Sequence, residues 1–184
     1  MRVLVACERS GIVRDAFRRL GHDAWSCDLA ESEDSRYHIR GDVLGQLADG
    51  WELMVAHPPC TYLSYAGARW FKTPGRQEKQ EAALLFFDEL LNAPIPKIAI
   101  ENPRGVVARR IRKPDDVIEP YQFGDPVKKR TYLWLKNLPP LIATFVCTEF
   151  EVDWVNHIHG SVARSQTFPG VAAAMAAQWG GDVR

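Results

Sequence analysis

RVLVACERSGIVRDAFRRLGHDAWSCD, residues 2–28, decides the fold. Arg2 to Cys7 reads as a buried strand. Gly11 to Leu20 reads as a helix with Ile12, Val13, Ala16, Phe17 and Leu20 on one face. Gly21 stops that helix, because glycine accepts the left-handed backbone of a helix end. Asp23 to Cys27 is a second short strand ending at Asp28. Outward from this unit the alternation continues. Arg40 to Val43 is a third strand and Trp51 to Ala56 a fourth, ending at His57-Pro58-Pro59-Cys60. Pro74 to Asn92 forms the best helix, with Thr73 as N-cap, Pro74 in the first turn and an apolar face of Ala83, Phe86, Phe87, Leu90 and Leu91. Lys97 to Ile100 is a fifth strand ending at Glu101-Asn102-Pro103, and Thr131 to Leu135 a later one. Val171 to Trp179 is an Ala-rich helix opened by Pro169; Leu138 to Arg164 is loop-rich, with one strand near Ile142 to Cys147. This alternation predicts an open α/β fold, a mostly parallel sheet with helices on both faces.

The 184 residues suit one domain, 1–184, and are short for two. Hydrophobic residues make up 46% and charged residues 25%, which excludes disorder and collagen-like repeats. Lys plus Arg total 23 and Asp plus Glu total 23, so the whole molecule has no strong non-specific attraction to nucleic acid, although a local basic patch is compatible with that balance. No apolar run is long enough to span a bilayer, and the start of the chain meets charge too soon for a secretory signal. Cys7, Cys27, Cys60 and Cys147 form no CxxC pair, giving no zinc signature and no disulfide framework. Reduced thiols in a cytoplasmic, metal-free protein are expected.

In open parallel sheets, ligands bind at the carboxyl ends of the strands. The unusual polar groups of this sequence fall at those ends. Cys7-Glu8-Arg9-Ser10-Gly11 joins the first strand to the first helix, a turn whose backbone N–H groups suit an anionic part of a ligand. Asp28 lies 17 residues after Gly11, where an acid can accept both hydroxyls of a ribose. Asp42 is placed to accept from an adenine amino group. Singly, each acid reads as a helix cap; together with the turn they read as an adenosine site. At the fourth strand, Pro58 and Pro59 stiffen the backbone and hold the Cys60 thiol at the sheet edge, which favours a nucleophile over an inert core cysteine. Glu101 on the next strand is placed to hydrogen-bond a ring nitrogen of a bound base. Tyr62, Tyr65, Arg69, Trp70, Phe71 and Lys72 follow Cys60, a composition suited to closing over a base or to core packing. Arg104, Arg109, Arg110, Arg112, Lys113, Lys128, Lys129 and Arg130 concentrate positive charge after the fifth strand, where phosphates or solvent would meet it.

The order of these pieces resembles the catalytic domain of the DNA cytosine-5 methyltransferases. Pro59-Cys60 matches the family's Pro-Cys nucleophile. Glu101-Asn102-Pro103 matches its Glu-Asn-Val, and Lys128 to Trp134 its Gln-x-Arg-x-Arg strand in imperfect form. The glycine-rich cofactor turn is reduced to Ala6 to Gly11, and Arg164 to Gly170 with the helix after it is similar to the last motif. The resemblance implies a Rossmann-like class I methyltransferase fold and S-adenosyl-L-methionine as cofactor, held by Cys7, Glu8, Ser10, Gly11, Asp28, Asp42, Pro58 and Ser165. It implies Cys60, Glu101 and Arg130 as catalytic residues and Pro59, Asn102, Tyr62 and Lys129 as substrate contacts. DNA is the implied partner, its target base flipped out of the stack. Amino-methylating relatives carry Asp/Ser-Pro-Pro-Tyr where this chain has Cys60, with Tyr62 two residues on. Only 33 residues, Thr131 to Ala163, separate Arg130 from Arg164, too few for the family's target-recognition domain. Three alternatives stay open: a minimal DNA enzyme, alone, as a homo-oligomer or with a specificity partner; the same chemistry on a free pyrimidine nucleotide or with another one-carbon group; and an inactive module binding nucleic acid or cofactor.

Overall fold

The computed structural model describes residues 1–32, 34–150 and 166–181. Its strands are β1 (Arg2–Ala6), β2 (Asp23–Asp28), β3 (His38–Arg40), β4 (Leu53–Ala56), β5 (Lys97–Asn102), β6 (Asp116–Ile118) and β7 (Thr131–Lys136). The helices are α1 (Ile12–Arg19), α2 (Arg76–Leu91), α3 (Val107–Arg110) and α4 (Pro169–Gly180). All seven strands join one sheet in the order β3-β2-β1-β4-β5-β7-β6. The first five run parallel, and β7 is antiparallel to both β5 and β6. The expected α/β architecture is present.

Strand alternation sorts the core onto two faces. Val3, Val5, Leu53, Val55, Ala99, Leu133 and Leu135 share one face with Val13, Ala16 and Phe17 of α1 and with α4 from Val171 to Trp179. Leu4, Ala6, Met54, Ala56, Ile98, Ile100 and Trp134 face α2 through Leu84, Phe87, Leu90 and Leu91. Burial on both faces explains why β1 and β4 read as unbroken apolar runs rather than alternating ones.

The differences from expectation have local causes. α2 starts at Arg76 rather than Pro74, because Gly75, at φ 73°, turns the chain and serves as N-cap. Thr73 instead closes a turn, its carbonyl accepting from the Arg76 amide at 3.1 Å. β3 lies earlier than expected, at His38–Arg40, since Asp42 ends the extended segment by capping the 3-10 turn Val43–Gln46. β5 runs on through Glu101 and Asn102, which are therefore strand residues paired with Leu133 and Tyr132 of β7. No strand forms over 142–147. Phe145 makes one bridge to Phe123, and the amides of Thr144 and Cys147 bond back to Gln122 and Tyr121 at 3.1 and 2.8 Å. The edge strand β6 has only three residues, beginning with an aspartate, and carries no periodic signal.

The Phe17 ring is fully buried between α1, the sheet and α4, whereas Leu29 is 74% exposed. Phe17→Ala is expected to lower unfolding stability by about 3–5 kcal/mol, and Leu29→Ala to change it by no more than about 0.5 kcal/mol, measured by urea denaturation.

Candidate active site

Because β1 to β5 run parallel, their carboxyl ends share one edge, and the reversed β7 brings its start, after Lys129 and Arg130, to that same edge. Backbone bonds carry the sheet slightly into the loops. The His57 amide donates to the Ala6 carbonyl at 2.9 Å, that of Glu8 to Cys27 at 3.2 Å, and that of Gly41 to Asp28 at 3.0 Å.

On the β1–β2 side, Cys7 takes φ 58°, a left-handed conformation uncommon outside glycine, which turns the chain out of β1. Gly11, at φ 75°, precedes α1; a Cβ there would collide with the guanidinium of the fully buried Arg14. The carboxylate of buried Glu8 accepts from the amides of Val13 at 2.7 Å and Arg14 at 3.2 Å, and from Ser10 Oγ at 3.3 Å. Ser10 Oγ accepts from the Ile12 amide at 3.4 Å. The Val13 and Arg14 amides at the start of α1 are thus taken by the protein's own Glu8. Glu8 and Ser10 side chains cap the helix. Burial pushes the Glu8 carboxyl up, opposed by His57, the two amides and Arg14.

Asp28 Oδ1 accepts from the Ala30 amide at 2.8 Å, and Asp42 Oδ1 from the Leu44 amide at 3.0 Å, so both carboxylates are held in fixed turns. Burial pushes the Cys7 thiol up to about 12, with further contributions from the charges of Asp28, Cys27 and Asp42. Cys7 therefore remains an uncharged thiol, and the two aspartates expected at the adenosine end converge on it.

The second cluster lies at β4 and β5. Asn102, 1% exposed, donates through Nδ2 to the Pro58 carbonyl at 2.9 Å. This bond fastens the proline pair to β5. Cys60 is exposed, and its carbonyl accepts from the amides of Leu63 and Ser64 at 3.0 and 2.9 Å. This turn is latched to the loop after β5. The Val106 amide bonds the Leu63 carbonyl at 2.9 Å, the Tyr65 amide bonds Arg104 at 3.1 Å, and Ser64 bridges Gly105. The backbones approach so closely at Gly105 that any Cβ would overlap the Leu63 carbonyl.

Burial pushes the Cys60 thiol up, the charge of Glu101 adds to that, and Lys129 opposes it. The Glu101 carboxylate and the Lys129 ammonium thus both act on the thiol. Glu101 and Lys129 also line an open cleft of about 330 Å³ with Thr131, Phe168 and Met175. Two expected contacts lie differently. Arg130 is exposed, and its Nε bonds Glu119 at 3.3 Å, so its guanidinium pairs beyond β6 rather than with Cys60 or Glu101. Tyr62 lies beneath the first turns of α2, with the Arg76 guanidinium 4.9 Å and Lys79 Nζ 5.9 Å from its ring centre. Ser165 and Arg164 fall outside the described residues.

One site residue escaped the sequence reading. His57 Nδ1 lies 3.4 Å from Glu101 Oε2, with the two side chains only 9% and 20% exposed. The available signal was its place at the end of a buried strand, three residues before the thiol. Among the described residues no group of three or more His, Cys, Asp or Glu side chains is arranged to hold a metal, and no helix is long and apolar enough to cross a membrane.

Alkylation of Cys60 tests the electrostatics directly. Glu101→Gln removes a charge that raises the thiol and is expected to speed its reaction with iodoacetamide near pH 8; Lys129→Met is expected to slow it. Peptide mass spectrometry reads the modification at Cys60 itself. Gly105→Ala is expected to cost about 1–3 kcal/mol in urea unfolding through the overlap at Leu63.

No protein-family model matches the chain, and no curated protein matches it in sequence. Solved structures do. A structure described as a DNA modification methyltransferase encoded within an E. coli prophage aligns over 73% of this chain and 46% of its own, at 14% identity and a TM-score of 0.45. The S. pombe Dnmt2 methyltransferase aligns over 88% of this chain at 17% identity and a TM-score of 0.53. The chain spans 46% and 64% of the lengths of these two proteins. With its strand order, the second likeness shows that the chain shares the α/β fold of that structure, a mostly parallel sheet flanked by helices.

Proposed function

We propose that residues 1–184 act as one catalytic domain, an S-adenosyl-L-methionine-dependent methyltransferase that modifies C5 of cytosine in DNA through a covalent Cys60 adduct. The observation that carries this reading is the exposed Cys60 thiol, held on a proline-stiffened turn and electrostatically coupled to Glu101 and Lys129 at the carboxyl edge of the sheet. The donor set beside it fits the cofactor. Asp28 and Asp42, each held in a turn around the neutral Cys7, offer carboxylate oxygens to the hydroxyls and amino group of an adenosine. Bound there, the cofactor supplies a methyl group activated on sulfur.

The chain's own residues do the rest. Cys60 Sγ adds to C6 of the pyrimidine ring. A protonated Glu101 donates to N3, drawing electron density out of the ring as the bond to sulfur forms. Protonation also removes the Glu101 charge that holds the thiol up, so docking a base against Glu101 favours the thiolate. Lys129 adds the same bias. Once C5 carries its new substituent, its proton passes to solvent water, the C6–S bond breaks with its electron pair leaving on Cys60, and the N3 proton returns to Glu101, restoring the ring. Asn102 keeps the turn in place through Pro58, and Pro59 limits how Cys60 can move. Arg130, exposed and paired with Glu119, is read as a contact to the nucleic-acid backbone rather than to the base.

The test is transfer of label from the cofactor's methyl group to DNA. Cys60→Ser is expected to reduce transfer to background, and Glu101→Gln to slow it by about 10²–10⁴-fold. Transfer that survives Cys60→Ser ends the covalent reading. Label in free pyrimidine nucleotides but not in DNA reassigns the substrate.

A further inference from the structure

We propose that His57 is a positioning residue that holds Glu101 and supplies its proton, in a His57–Glu101 relay at the ends of the neighbouring strands β4 and β5. The placement follows from topology. β4 lies between β1 and β5, so a residue at its carboxyl end has the β1 turn on one side and the end of β5 on the other. Each side presents a carboxylate: Glu101 with Oε2 3.4 Å from His57 Nδ1, and buried Glu8, whose charge His57 stabilises. The ring cannot drift. Its amide is bonded to Ala6, Pro58 follows it, and its side chain is 9% exposed. Nε2 is buried and has no hydrogen-bond partner among the described residues, a placement that costs free energy and calls for an explanation.

The charged groups facing this unit are few. Glu8 comes from the β1 turn, with Arg14 of α1 beside it; Glu101 comes from β5; Cys60 lies on the following turn with Lys129 opposite. With both ring nitrogens protonated, the imidazolium faces the Glu101 carboxylate through Nδ1. When a base docks, the Nδ1 proton passes to Glu101 Oε2: one N–H bond breaks, one O–H bond forms, and no electrons are gained or lost. Glu101 is then the acid that the base requires, and the neutral ring keeps its Nε2 proton. The relay rests on the methyltransferase reading for its purpose but not for its existence.

Two measurements test it. In protein labelled with ¹⁵N-histidine, the ring-nitrogen signals of His57 are expected to shift in Glu101→Gln, which removes the carboxylate acceptor 3.4 Å from Nδ1. Signals unmoved by Glu101→Gln overturn the relay, and this result needs no turnover to be read. In the methyl-transfer assay, His57→Ala is expected to lower kcat by about 10²-fold with KM unchanged. His57→Asn, which keeps an N–H near the Nδ1 position but carries no transferable proton, is expected to remain equally slow. If His57→Asn instead matches the parent at every pH, the residue is only a structural prop and the relay fails. Absence of transfer from every substrate defeats the proposed function alone and leaves the ring-nitrogen signals to decide the relay.

Discussion

The central constraint is the complete burial of β4. Leu53, Met54, Val55 and Ala56 are all inaccessible, enclosed by β1 and β5 at the sides and by helices on both faces. No polar side chain fits along such a strand without a partner, so the chain can become polar only where the strand ends. His57 and Cys60 are what the strand delivers at that point. The parallel neighbours end at the same level, which gathers Glu8, Asp28 and Glu101 onto one edge as a consequence of strand direction.

Holding that edge rigid takes specific bonds. Asn102 reaches back from β5 to the Pro58 carbonyl, and the Leu63–Ser64 turn is laced to Arg104–Val106. The loops carrying the thiol and the carboxylate are therefore one unit, and Gly105 permits the contact because it has no side chain. Rigidity matters because the charges of Glu101 and Lys129 act on the Cys60 thiol, and such an effect weakens quickly with distance.

Much of this was visible in the residues themselves. The unbroken apolar runs of β1 and β4, the amphipathic α1 and the prolines before Cys60 follow from local rules of burial and backbone geometry. What remained hidden was set by sequence-distant partners. β6 exists because β7 offers it an edge. The 142–147 segment contains β-branched and aromatic residues, yet it finds no neighbouring strand and leaves Ile142 and Phe145 exposed. Glu8 and Ser10 carry the same chemistry whether they face a ligand or their own helix, and only the folded α1 shows that they cap it. Asn102 and Arg130 likewise have partners, Pro58 and Glu119, that no spacing rule connects to them.

The sequence by itself determined the alternation of strands and helices, the parallel sheet and the presence of polar groups at strand ends, because each depends on residues close together in the chain. Tertiary structure alone decided which of those groups meet. That His57 stands between Glu8 and Glu101, residues 49 and 44 positions away from it, is a property of the strand order β1-β4-β5. Electrostatic coupling depends on spatial distance, and the topology of the sheet sets that distance.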